Sequence, residues 1–174
     1  MAIELPARIA FLKKIHLFHG LGEDELTAIA EELQEFSYPQ GAVIFEQGGK
    51  ADSFYLIYGG SVRIVRRQNK KEYQLARLVR EDYFGEMALV AKRPRSATVT
   101  ALADTSLLVL SRADFDRLFK QHPQLGLNME VAIRSRPWRS VCASNGCVRM
   151  RWFISWHGNI SSFFSRISGC RLFC

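Results

Sequence analysis

Gly85, Glu86 and Arg95 are the residues of this chain whose types and spacing best suit chemistry on a ligand. A guanidinium presents paired N–H donors in a planar fork, the shape that grips the two exocyclic oxygens of a phosphodiester and that a point-charge lysine cannot reproduce. Glu86 would be an odd neighbour for phosphate alone, but a carboxylate accepts a hydrogen bond from a ribose 2′-hydroxyl and so rejects deoxyribose. Gly85 removes a side chain where a ligand backs against the main chain. If Gly85 to Leu89 form a short helix, its first amides also favour an anion. Either charge alone reads as a solvated strand arginine or a helix-start acid; the two together in this context read as a site.

Other chemistry lacks its residues. A metal-dependent enzyme on a β-roll, cupin-like in form, needs several His or carboxylate ligands on strands that face one cavity. His16 and His19 precede the strand region, and His122 and His157 follow it. No Ser, His and Asp or Cys and His set stands at a recognisable spacing, so the expectation is a non-enzymatic protein without a cofactor or metal.

The elements that must position Glu86 and Arg95 are legible in the apolar pattern. Leu5, Ile9 and Leu12, with Phe11 and Ile15 beside them, recur at helical spacing, and Leu26, Ile29, Ala30 and Leu33 follow behind Glu23, Asp24 and Glu25. Short apolar runs then predict strands at Ala42 to Phe45, Phe54 to Tyr58, Val62 to Val65, Tyr73 to Val79, Ala97 to Leu102 and Leu107 to Leu110. Gly, Pro and Asn turn signals separate them, at a spacing that favours an antiparallel sandwich or barrel. Phe84 to Leu89 interrupts the strands and carries no strand pattern. Ser111 to Asp114 reads as a capping box that opens a helix with Phe115, Leu118 and Phe119 buried. Pro123 closes that helix, and Leu125, Met129, Ala132 and Ile133 predict one more. Tyr55, Tyr58 and Tyr73 read as sheet residues, and Met87, Val99 and Leu75 as core positions that also suit a base pocket.

The run Phe84-Gly85-Glu86-Met87-Ala88-Leu89, with Arg93-Pro94-Arg95-Ser96-Ala97-Thr98-Val99 after it, resembles the phosphate-binding cassette of the cyclic-nucleotide-binding domain family. The resemblance runs from about Phe11 to Leu125, taking in the Gly41 turn, Asp52 before Phe54-Tyr55-Leu56-Ile57, and Gly60 before Val62. It implies a mainly β fold with flanking helices, an antiparallel, jelly-roll-like β-roll. It also implies a ligand, cAMP or cGMP, held by Gly85, Glu86, Met87, Ala88, Arg95, Ser96 and Ala97, with the Ser96 hydroxyl and the Ala97 amide as further donors. The expected function is a cyclic-nucleotide sensor, most simply for cAMP, whose helices after the strands reposition on binding to act on an effector protein or domain. The alternative is a truncated catabolite-activator-type regulator without its DNA-binding domain.

Charge marks a boundary. All 17 acids lie before Val131 and are balanced there by 17 Lys and Arg, whereas the remaining seven Arg, all four Cys and all three Trp fall after it. The net charge of +7 therefore belongs to the end of the chain and does not predict a nucleic-acid partner for the sensor. The expected organisation is a domain over 1–135 and a basic, poorly ordered tail over 136–174. That tail has no helix-turn-helix pattern, its Cys spacing is a weak metal signal, and its composition resembles a shifted reading frame. The chain shows no leader and no apolar stretch of membrane-spanning length, so a cytoplasmic location is expected.

Overall fold

The computed structural model describes residues 3–135; the predicted tail from Arg136 lies outside them. Helices α1 (Leu5–Leu12) and α2 (Glu23–Glu32) come first, joined through a 3-10 turn at His16–Phe18. Ile15 falls after α1 and is buried at the entry to that turn. Eight strands follow: β1 (Gln34–Tyr38), β2 (Val43–Phe45), β3 (Ser53–Gly59), β4 (Ser61–Gln68), β5 (Lys71–Val79), β6 (Tyr83–Phe84), β7 (Thr98–Ala101) and β8 (Thr105–Ser111). A short helix α3 (Glu86–Val90) separates β6 from β7, and α4 (Arg112–Gln121) and α5 (Pro123–Ser135) follow β8.

The strands form two antiparallel four-stranded sheets, ordered β1-β8-β3-β6 and β2-β7-β4-β5. This is the expected β-roll with flanking helices. The uninterrupted apolar runs of β3 and β8 follow from burial on both faces. Phe54, Leu56, Leu108 and Leu110 pack with the helices, while Tyr55, Ile57, Leu107 and Val109 join Val62, Ile64 and Val99 of the second sheet. Burying an apolar side chain of this size contributes about 1.5–3 kcal/mol, so these two cores hold the helices and sheets in one unit. At Gly60 the chain reverses with φ +85°, and a Cβ there would sit 2.4 Å from the Asp104 carbonyl oxygen, a contact only glycine avoids.

Two strands are absent from the sequence reading. β1 lies at a sheet edge and carries Gln34, Glu35 and Ser37 around a Phe36 that is largely exposed, so it has no apolar alternation to read. β6 takes only two residues, and one of them is Phe84, assigned from sequence to the interruption. The helix after the strands begins as predicted. The Ser111 hydroxyl oxygen accepts from the Asp114 amide at 3.2 Å, capping α4.

Candidate functional site

Phe84 ends β6 with its ring stacked on Tyr55 of β3, centroids 5.0 Å apart. The chain then turns through Gly85 at φ +91°, a left-handed conformation, and α3 begins at Glu86. Glu86 is only 2% exposed. At the far end of α3 the Arg93 amide donates to the Ala88 carbonyl at 3.0 Å, folding the cassette back toward Arg95. The backbone of Arg95 is then pinned to the turn after β2: its amide donates to the Gly49 carbonyl at 2.9 Å and its carbonyl accepts from the Gly48 amide at 2.8 Å.

Arg95 is 3% exposed, which overturns any reading of it as a solvated strand charge. Nε donates to the Lys50 carbonyl at 3.2 Å, Nη1 to the Gly85 carbonyl at 3.0 Å and Nη2 to the Ser53 carbonyl at 2.7 Å. The Asp52 carboxylate lies 3.5 Å from Nη2 but is largely exposed and therefore screened. The three part-buried, charge-assisted bonds to carbonyls are the stronger hold. The charge of the guanidinium lies over the Phe45 ring, with Cζ 4.2 Å from the ring centroid, and the Tyr55 centroid is 5.5 Å away. Burial pushes the Arg95 guanidinium below its ordinary pKa, and the fields of Tyr55, Asp52 and Glu86 oppose that fall. An arginine starts so far above neutrality that it stays charged. Burial likewise pushes the Tyr55 phenol up, against the pull of the Arg95 charge.

The structure therefore brings Gly85 and Arg95 into contact, with Glu86 buried beside them. Met87 is half-buried, and Ala88 is buried in the body of the domain and acts through its carbonyl. Ser96 is exposed, whereas Ala97 packs into the core between the sheets. Sequence reasoning did not assign Phe45, Tyr55 or the 50–53 loop to the site. Their contributions are ring faces and main-chain carbonyls, and the carbonyls of Lys50 and Ser53 leave no trace in residue type.

The 50–53 loop is also held from its other side. Arg112, the first residue of α4, donates its amide to the Asp52 carbonyl at 2.7 Å and its Nη1 to the Ala51 carbonyl at 2.8 Å. One four-residue loop is thus gripped by the cassette arginine and by the opening residue of α4. Farther along, the His122 ring bonds Glu25 of α2 at 2.5 Å, and the Asn128 amide of α5 donates to the carbonyls of Leu17 and His19 at 2.8 and 2.9 Å.

Residues 35–122 match the family model of the cyclic nucleotide-binding domain, and the chain belongs to that family. It is 36% identical over 126 residues to the cyclic AMP receptor protein of Thermus thermophilus, covering 72% of this chain and 58% of the relative. It is 35% identical over 126 residues to the cAMP-dependent protein kinase regulatory subunit of Dictyostelium discoideum, covering 70% of this chain and 38% of the relative. Among solved structures, the regulatory domain of Toxoplasma gondii PKA, crystallised with cAMP, superposes with a TM-score of 0.69 at 28% identity, covering 75% of this chain and 50% of that one. The chain thus spans less than two thirds of the length of these relatives. Among the described residues no helix is long and apolar enough to cross a membrane.

Proposed function

We propose that this chain is the sensing module of a regulator and binds a 3′,5′-cyclic nucleotide in the cassette from Gly85 to Ala97. Arg95 supplies donors for the exocyclic phosphate oxygens, and Glu86 accepts the ribose 2′-hydroxyl. Gly85 gives the close approach, Met87 and Ala88 shape the helix beside the ligand, and Ser96 and the Ala97 amide add donors to phosphate. The observation that carries this reading is the burial of two opposite charges, Glu86 and Arg95, beside one left-handed glycine. Removing charges from water costs several kcal/mol per ion, on the order of a whole domain's net stability, and perturbed, buried ionisable groups cluster where function needs them. The relatives are named for cyclic AMP, which favours it over cyclic GMP as the ligand.

The same geometry gives a route outward. When the guanidinium turns toward phosphate oxygens, the Lys50 and Ser53 carbonyls lose their donor, and the loop is left to Arg112 at the start of α4. Occupancy of the cassette then biases α4 and α5, the elements that would meet an effector protein or domain. Equilibrium binding of cyclic AMP and 2′-deoxy-cyclic AMP to the parent and to Glu86→Gln tests the assignment. The expected result is that the deoxy analogue binds the parent at least about tenfold more weakly, and that Glu86→Gln narrows the gap. Equal binding of the two nucleotides to the parent would remove Glu86 from the ribose.

A further inference from the structure

We propose that Phe45 is a positioning residue for the phosphate contact: its ring holds the plane of the Arg95 guanidinium while that group exchanges main-chain carbonyls for phosphate oxygens. This rests on the cyclic-nucleotide reading above and concerns a residue outside the cassette.

Three features place the ring on purpose-built ground. First, the pairing of β2 with β7 shifts register between Val43 and Phe45. On a regular strand those two side chains would share a face. Here Val43 is 49% exposed while Phe45 packs against the inner core, the re-aiming that a bulge produces. Second, the Phe45 ring is backed by Tyr55 and Phe84, with centroids 5.5 and 5.8 Å away, and those two rings are stacked on each other. Third, the Gly48 and Gly49 main chain just after β2 is bonded to both the amide and the carbonyl of Arg95. Ring and guanidinium are therefore fixed to one another at both the backbone and the side-chain level.

The division of labour follows from geometry. A guanidinium directs its N–H bonds within its own plane, where carbonyls or phosphate oxygens compete for them. The attraction of the Phe45 ring acts instead on the charge centred at Cζ, 4.2 Å from the ring centroid. It does not compete for donors, and it persists whichever oxygens the donors hold. With Phe45 in place the Lys50 and Ser53 carbonyls can be given up while the guanidinium keeps its place over the ring; a side chain without a ring lets it tip.

The test compares Phe45→Leu, Phe45→Met and Phe45→Tyr with the parent chain, titrated with cyclic AMP and, by NMR, with adenosine, which lacks the phosphate. Phe45→Leu and Phe45→Met are expected to weaken cyclic AMP about tenfold with adenosine unchanged, Phe45→Tyr is expected to match the parent, and the Arg95 Nε proton is expected to lose its ring-current shift in Phe45→Leu and Phe45→Met only. The Met variant fills the space with little disturbance and keeps the test open if Phe45→Leu folds poorly. A parent that binds cyclic AMP and a Phe45→Met variant that binds it equally well would overturn the role of Phe45 alone, as would an equal loss of cyclic AMP and adenosine. A parent that binds no cyclic AMP would overturn the cyclic-nucleotide reading itself.

Discussion

The Arg95 Nη1 donates to the Gly85 carbonyl at 3.0 Å, and a Cβ built on Gly85 would lie 2.8 Å from that same nitrogen. The glycine and the arginine are thus one device. Gly85 is held at φ +91°, where an L side chain is strained, and the neighbouring Ser53 carbonyl and Tyr55 ring leave only 3.2 Å. Gly85→Ala is expected to destabilise the domain by about 1–3 kcal/mol and to weaken cyclic AMP at least about tenfold. Denaturant unfolding and a nucleotide titration on the same preparation check both. An unchanged affinity would mean that Arg95 does not need this approach.

Arg95→Lys separates the fork from the charge. Binding of cyclic AMP should fall by about 2–5 kcal/mol, since one bidentate, charge-assisted contact is lost. The burial of Arg95 on three carbonyls adds an expectation that a solvated arginine would not carry, a loss of about 1–3 kcal/mol of folding stability. Asp52→Asn, at an exposed carboxylate 3.5 Å away, should cost less than about 1 kcal/mol in stability. Melting curves of the two variants rank the carbonyls against the carboxylate, and a larger loss from Asp52→Asn would reverse that ranking.

The sheet core, and the meeting of Gly85 with Arg95, were readable because each rests on side-chain type. Alternating or continuous apolar runs mark β3, β4, β5 and β8, and Gly85, Glu86 and Arg95 announce themselves by chemistry. What could not be read depends on the main chain or on bulk geometry. β1 is a polar edge strand, β6 is two residues long, and the carbonyls of Lys50 and Ser53 reach Arg95 across more than 40 positions of sequence. The bulge that turns Phe45 inward is likewise invisible in Val43-Ile44-Phe45, which reads as an ordinary strand.

Glu25 accepts the Gly22 amide at 2.7 Å and meets the His122 ring, tying the start of α2 to the α4–α5 elbow. The Gly22 amide and then His122 hold the Glu25 carboxyl below its usual range. A carboxyl depressed in the folded state adds stability above its unfolded pKa, and that stability is lost as pH falls through the folded value. Below the ordinary glutamate range the α2 start should therefore loosen. Because the Glu25 side chain is 36% exposed and its charge is screened by solvent, Glu25→Gln should lower stability by no more than about 0.5 kcal/mol near neutrality and show less further loss on acidification than the parent. Parallel melting curves from pH 7 to pH 3 decide it; identical pH dependence would dismiss the link.

Arg112 should carry ligand occupancy from the 50–53 loop to α4. Hydrogen exchange with and without cyclic AMP is expected to change more in Arg112 to Ser135 than in the sheets, whose ladders tie them. In Arg112→Ala the nucleotide should still bind, but the response of α4 and α5 should shrink. Uniform protection across the domain would mark a static binding module.

Whether the cassette reads a cyclic phosphodiester on a ribose is decided by calorimetric titration of the chain with cyclic AMP and with 5′-AMP. Cyclic AMP is expected to bind clearly tighter than 5′-AMP, and Arg95→Lys is expected to erase most of the difference. Equal affinity for the two nucleotides, or heat from neither, would contradict that reading.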